Sequence, residues 1–156
     1  MTEARTGWLN DHEMAAWRAY IVGSALLDHR LNRELQSAHG LSIADYEILV
    51  RLSEQPGQRM RMSRLAADVA HSKSRISHQI RRLEAADLVR RQECPNDGRG
   101  VLAILTEEGA QRLRDAAPTH VAGVREHMID QLEPEEQEVL AKVFDRLTDH
   151  LRGLDD

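Results

Sequence analysis

The chain has 156 residues, 41% of them hydrophobic, so it can build the core of one domain or of a small domain with an assembly element. It has no apolar run long enough to span a bilayer, no secretory signal and a single cysteine, so we expect a cytoplasmic protein without an intrachain disulfide. The net charge of -5 argues against a protein that coats nucleic acid uniformly.

The charges are unevenly distributed along the chain. Residues 59–99 contain ten Lys and Arg against five Asp and Glu, whereas the rest contains eleven against twenty-one. A basic centre between acidic ends predicts that a nucleic-acid surface lies in the middle of the sequence. Nineteen of the 21 cations are Arg, which suits fork-like contacts to phosphate or guanine, although a codon bias explains the excess equally well.

Two helices are predicted before residue 55. The first covers residues 8–37, where apolar residues recur at helical spacing and no proline intervenes. Ser42 and Asp45 have the spacing of a capping box at the start of the second helix. A Gln-Pro-Gly sequence at 55–57 ends that helix.

A short helix and an arginine-bearing helix follow. Ser63 is the predicted cap of the short helix, and the polar residues 71–74 end it and cap the next one. In the arginine-bearing helix, predicted at about 74–86, apolar residues at helical spacing leave the opposite face free for a partner molecule. The apolar face consists of Ile76, Ile80 and Leu83.

After residue 88 the hydrophobic pattern changes from that of a helix to that of a strand. A two-stranded ribbon with a turn near residues 95–100 forms a wing at about 88–105, which must pack on the helices because such a ribbon is marginal alone. Thr106 caps a further helix, predicted to reach about Gln131. Pro134 starts the last helix.

The order of these elements predicts a mainly α fold with a small two- to three-stranded antiparallel β wing. The winged helix-turn-helix occupies residues 42–106, and helices at 8–37 and 107–152 serve dimerisation. The end helices carry more apolar surface than a small winged helix can cover, so we expect a homodimer that reads two related half-sites. A monomer whose end helices fold onto its own lobe is the alternative.

Three sequence blocks resemble the multiple-antibiotic-resistance-regulator (MarR) family: LSIADYEILVRL, LAADVAHSKSRISHQIRRLEAADLVRR and NDGRGVLAILTEEG. The most specific element is Asp97-Gly98-Arg99, followed at family spacing by Leu105-Thr106 and Gly109, and the resemblance extends over about residues 8–151. It implies an obligate homodimer, usually a repressor, whose DNA affinity falls when a small phenolic or carboxylate ligand binds between the dimer helices and the DNA lobe.

The resemblance assigns DNA contacts to the recognition helix and the wing. Arginine can bond guanine at two atoms, which contributes about 1–3 kcal/mol of discrimination. In the wing, Arg99 would enter the minor groove and Asp97 would hold it, although plain turn chemistry also explains an Asn-Asp-Gly sequence. The candidates in the recognition helix are Ser72, Lys73, Ser74, Arg75, Ser77, His78, Arg81 and Arg82. Ser72 fits a helix cap equally well, and Arg82 also fits a solvated surface arginine.

Other possible sites have weaker support. Trp17 and Tyr20 are the candidate effector-binding residues, although ordinary packing also explains them. The eight histidines lack metal-binding spacings, Cys94 is interpreted as a small hydrophobic residue, and no catalytic motif occurs, so no metal, cofactor or enzymatic activity is expected. Asp87 stands where the family commonly has glycine, and we expect a left-handed backbone there.

The sequence therefore predicts a double-stranded DNA-binding transcriptional regulator, in the form of a ligand-responsive homodimeric repressor of a pseudo-palindromic operator. The alternatives are a winged-helix module that uses the same surface to bind a protein, and a redox- or metal-responsive member of the same family.

Overall fold

The computed structural model describes residues 7–69, 72–94 and 100–154, without the side chain of Lys73. Within these residues the chain forms helices and an antiparallel sheet, and short 3-10 turns lie at Pro56–Gln58 and Ile129–Gln131. The elements are α1 (Asp11–His39), α2 (Ile43–Ser53), β1 (Arg59–Arg61), α3 (Met62–Asp68), α4 (Lys73–Ala85), β2 (Val89–Glu93), β3 (Val101–Leu105), α5 (Glu107–His127) and α6 (Pro134–Arg152). The predicted fold class is confirmed.

Side-chain caps set the starts of the first two helices, and a glycine ends the first. Asn10 and Glu13 form a capping box at the start of α1, three residues after the predicted start, and Gly40 ends the helix with a left-handed φ of 66°. Ser42 and Asp45 form the predicted capping box of α2. The helical boundaries therefore follow from local hydrogen bonding.

The start of α3 differs from the prediction. Arg61 occupies the N-cap position and makes no side-chain cap hydrogen bond, so the assignment of Ser63 as the cap was wrong. Strand β1 runs directly into α3, and Ser63 consequently lies inside the helix.

The wing has three strands in the order β1-β3-β2: β2 and β3 form the ribbon that the change of period predicts, and β1 adds a third strand. Met60 of β1 pairs with Ala103 of β3, and Arg91 of β2 pairs with the same residue from the other side. Asp87, just before β2, has the expected left-handed φ of 60°. Its carbonyl accepts a hydrogen bond of 2.6 Å from the Thr106 hydroxyl, which joins the two ends of the hairpin.

The hydrophobic core lies in the winged-helix lobe. It is closed on one side by the C-terminal part of α1 and by the first half of α5. In contrast, α6 has no buried residue. Among the described residues, no helix is both long and apolar enough to cross a membrane.

Candidate nucleic-acid interface

Helix α4 begins at a serine cap. The Ser72 hydroxyl accepts a hydrogen bond of 3.3 Å from the Arg75 backbone N–H and lies 3.3 Å from the Ser74 hydroxyl. Ser72 therefore has the capping role that the sequence left open, while its side chain stays exposed beside that of Ser74.

The two faces of α4 differ sharply in exposure. Ile76, Ile80 and Leu83 are buried in the core, as predicted from their spacing. On the outer face, Ser77 is half-buried and the other described candidates are exposed: Ser72, Ser74, Arg75, His78, Arg81 and Arg82. The core thus fixes the helix through its apolar face and presents a polar, cationic face outward.

Arg82 differs from the other arginines of this helix in having a carboxylate partner. Its Nη2 donates a hydrogen bond to Oδ1 of Asp45, the N3 residue of α2. Among the described residues, no hydrogen bond or ion pair of the Arg75 or Arg81 guanidinium is recorded. These two cations are therefore available to an external ligand.

A second carboxylate ties α4 to the wing. Glu84 accepts bonds from the Arg91 backbone N–H at 3.1 Å, from Nε at 3.2 Å and from Nη2 at 3.1 Å. The hydrogen bonds from Arg91 hold the pKa of the Glu84 carboxyl below its ordinary value and raise the pKa of Arg91. Because β2 is an edge strand, the carboxylate also satisfies a backbone N–H that would otherwise lack a strand partner.

The groove between the wing and α4 adds cations that the sequence analysis missed. It has a volume of about 300 Å³, and Arg61, Ser63, Ser77 and Arg91 contribute to its lining. Arg61 lies on β1, a strand of three residues and too short to show a periodic pattern. The predicted wing residues Asp97 and Arg99, and the side chain of Lys73, lie outside the described part of the chain.

Comparison with known proteins identifies the family of this chain. The MarR family model matches residues 41–101, which include α2 to β2 and the start of β3. The crystal structure of AbsC, a MarR family transcriptional regulator from Streptomyces coelicolor, has a TM-score of 0.90 and 52% identity, over 95% of this chain and 99% of AbsC. This chain belongs to the MarR family of transcriptional regulators.

Two further relatives support the assignment to the MarR family. Sco3205, a MarR family regulator from Streptomyces coelicolor whose structure was solved in complex with DNA, is 42% identical, with a TM-score of 0.90 over 92% of this chain and 94% of Sco3205. The HTH-type transcriptional regulator MhqR of Bacillus subtilis (strain 168) is 29% identical over 133 residues, which are 83% of this chain and 84% of MhqR. The prediction that the chain is not an enzyme is confirmed by this family.

In this MarR-family chain, Trp17 and Tyr20 lie on α1 and are each about half exposed. Their ring centroids are 6.0 Å apart, and the Tyr20 ring lies 5.7 Å from that of Phe144 on α6. Tyr20 and Phe144 line an apolar groove of about 620 Å³ between the two helices, together with Leu27, Leu132 and Leu140.

A smaller cavity of about 250 Å³ lies between α2 and α5, and sequence reasoning did not find it. The rings of Tyr46 and His120 line it with centroids 4.5 Å apart. Two buried nitrogens at this cavity, Nε of Arg51 and Nδ1 of His120, have no hydrogen-bond partner among the residues that the structure describes. Burial lowers the pKa of His120 and raises that of Tyr46, so both side chains favour their neutral forms.

The sequence analysis also considered a redox and a metal response. Cys94 is buried at the end of β2, where its backbone N–H donates a bond of 2.8 Å to the Gly100 carbonyl. Within the described ranges, no group of three or more His, Cys, Asp or Glu side chains is arranged to hold a metal ion.

Proposed function

We propose that this chain is a sequence-specific regulator that binds duplex DNA through the outer face of α4. The observation that carries the proposal is the division of that helix, with Ile76, Ile80 and Leu83 buried and Arg75 and Arg81 exposed without a carboxylate partner in the described part of the chain. An α-helix fits the major groove, where guanidinium groups can bond guanine edges and phosphates. A regulator of this kind acts in the cytoplasm, on chromosomal DNA.

The exposed candidates at the start of α4 have a complementary role. Ser72 and Ser74 lie at the first turn, where backbone N–H groups and hydroxyl groups suit phosphate oxygens. Ser77 and His78 lie further along the outer face, at positions from which they can contact bases. We assign Lys73, Asp97 and Arg99 to DNA contact by their place in the family pattern, with Arg99 beside the minor groove and Asp97 orienting it.

The working form of this regulator is a homodimer that reads a pseudo-palindromic operator. The apolar side chains that stay exposed on α1 and α6 support this part of the proposal, among them Ile21, Val22, Leu26, Val139, Leu147 and Leu151. A two-fold dimer buries such surfaces against their own copies and places two recognition helices on successive turns of one DNA face.

We further propose that a small phenolic or carboxylate effector releases the protein from its operator, so that the regulator acts as a repressor. The groove that Tyr20 lines and that lies beside Trp17 is one candidate site. The cavity beside Tyr46 and His120 is the other, since its two unpartnered nitrogens suit an oxygen-bearing aromatic ligand. An effector acts by binding more tightly to dimers whose recognition helices are wrongly spaced for the operator.

The test is selection of duplexes from a random-sequence library by the wild-type protein, followed by titration of the best duplex. We expect the logarithm of the binding constant to fall steeply with the logarithm of the salt concentration, because each phosphate contact releases counterions. Replacing both Arg81 and Arg99 by Ala should weaken binding about 100-fold or more at fixed salt. Unchanged affinity of this double variant would show that the DNA surface is assigned wrongly.

The competing function is binding of a protein partner through the same face of α4. The acidic net charge of -5 is compatible with that function, but the local excess of cations in residues 59–99 favours DNA. Failure of the library to yield any enriched duplex, together with retention of a protein partner by wild type and loss of it by Arg81→Ala, would favour the competing function.

A further inference from the structure

The first turn of α2 is bonded to two other helices. On one side, Oδ1 of Asn32 in α1 accepts a hydrogen bond of 3.0 Å from the Ile43 backbone N–H. On the other side, Oδ1 of Asp45 accepts the bond from Arg82 of α4. This single turn therefore connects a helix of the proposed dimer interface with the recognition helix.

Asp45 is a buried carboxylate, with 6% of its surface exposed. Its Oδ2 accepts a bond of 3.4 Å from the Ser42 backbone N–H, which completes the capping box, while Oδ1 takes the tertiary contact. A buried carboxylate is costly unless it is paired and hydrogen-bonded. Arg82 supplies that pairing across 37 residues of sequence.

Arg82 makes this internal bond although its side chain lies at the surface. Its side chain is 54% exposed, yet its guanidinium is bonded to α2. Arg81, the preceding residue on the same helix, is exposed and has no recorded partner within the described residues. Two adjacent arginines that look equivalent in the sequence therefore have different surroundings.

Helix α4 also contacts its neighbours in the helix-turn-helix and the wing. The helix packs mainly against α3 and β2, and its other ion pair, Glu84 with Arg91, also joins it to β2. The ion pair of Arg82 with Asp45 therefore links the last turn of α4 directly to the first turn of α2, whereas that of Glu84 with Arg91 links it to the wing.

We propose that Arg82 is a positioning residue, whose ion pair with Asp45 sets the orientation of the recognition helix against the first turn of α2. Of the two adjacent arginines, Arg81 is the one that contacts DNA. This inference rests on the proposed function. It assigns to Arg82 a task that serves DNA binding without touching DNA.

The test is a double-mutant cycle on the duplex selected by wild type, with the variants Arg82→Gln, Asp45→Asn and both together. If the pair acts as a unit, each single variant weakens binding about tenfold and the double variant is no weaker than the worse single one. The slope of log binding constant against log salt stays at the wild-type value in all three, because no phosphate contact is lost.

Three controls separate positioning from contact and from misfolding. Arg81→Gln should lower the magnitude of the salt slope by about one, as expected for a lost phosphate contact. Arg114→Gln breaks another arginine–carboxylate pair, with Glu107, and should leave affinity within about twofold. Asp45→Glu keeps both the capping carboxylate and the negative charge. If Asp45→Asn impairs binding because the ion pair with Arg82 is lost, Asp45→Glu should bind with nearly the wild-type affinity.

The inference is overturned if Arg82→Gln lowers the salt slope by about one while Asp45→Asn binds as tightly as wild type or tighter, because Arg82 would then be a DNA contact. Additive losses in the double variant would also overturn it. If Arg82→Gln unfolds, the pair of Asp45→Asn and Asp45→Glu decides the question alone. Failure of wild type to select any duplex would instead count against the proposed function.

Discussion

The winged-helix lobe and the outer parts of the terminal helices handle their apolar side chains in opposite ways. In the lobe, Leu49, Leu65 and Ile80 are fully buried within one chain. In α6 no residue is buried, although Phe144, Leu147 and Leu151 lie along it. The lobe covers its apolar side chains within one chain, whereas the terminal helices leave theirs exposed on a surface that a second copy can cover.

The largest expected effect comes from breaking the lobe at Gly109. A Cβ at this position would lie 2.1 Å from the Leu88 backbone carbonyl oxygen, which cannot move without shifting the hairpin. Gly109→Ala should therefore lower the free energy of unfolding by about 3 kcal/mol. Thermal or denaturant unfolding measures the change.

Gly123, where α5 approaches α1, is the matched control for Gly109. A Cβ there would meet the side-chain ends of Glu34 at 2.5 Å and Leu31 at 2.9 Å, both of which can rotate away. Gly123→Ala should therefore cost only about 1 kcal/mol. Equal losses in the two variants would mean that the lobe is no more tightly packed than the helix pair.

The next largest effect comes from placing a charge on the exposed apolar surface of α6. Leu147→Asp should weaken dimerisation about 30-fold or more, because a carboxylate would be buried without a partner in the dimer. Sedimentation equilibrium should give twice the chain mass for wild type and for Arg81→Ala, and a lower mass for Leu147→Asp. A wild-type protein that sediments at 17.7 kDa would contradict the dimer.

A smaller effect is expected where the wing meets α4. Glu84→Gln removes the charge that three hydrogen bonds from Arg91 share, so the wing should be less well oriented and affinity for the selected duplex should fall about threefold. Salt titration by fluorescence anisotropy measures this change. Tighter binding by the variant would indicate that Glu84 repels DNA and does not orient the wing.

The smallest effect concerns His120 at the cavity between α2 and α5. Burial lowers the pKa of His120 below its ordinary value of 6.5, so the unfolded chain binds more protons than the folded one as pH falls through 6.5. Stability should consequently decline in that range, and His120→Asn should reduce the decline by about 2 °C in Tm. Identical pH profiles of Tm for the two proteins would exclude the contribution of His120.

The sequence predicted the parts of this molecule that depend on neighbours along the chain. The capping box of Ser42 and Asp45 and the apolar face of α4 both follow from spacing within one helix. The strand β1 was not predicted, because three residues are too few to show a periodic pattern. Since β1 was missed, the start of α3 was misplaced and Ser63 was wrongly taken as its cap. Without β1, the position of Arg61 in the groove beside the wing could not be inferred.

Tertiary pairs were beyond the reach of local patterns. Asp45 served the sequence analysis only as a cap, yet its second oxygen bonds Arg82 from a different helix. The cavity between Tyr46 and His120 likewise joins residues that are far apart in sequence. The sequence therefore predicted candidate residues for a recognition surface, but the different surroundings of Arg81 and Arg82 could be seen only in the three-dimensional structure.

The most direct test of the central claim is the stoichiometry and symmetry of the complex with the duplex that wild type selects. Analytical ultracentrifugation of that complex should show two chains per duplex, and footprinting should show two related half-sites about one helical turn apart. One chain on a single unrepeated site, or no enriched duplex at all, would contradict the claim that two DNA-binding lobes, each with its own core, are joined through the exposed apolar faces of the terminal helices.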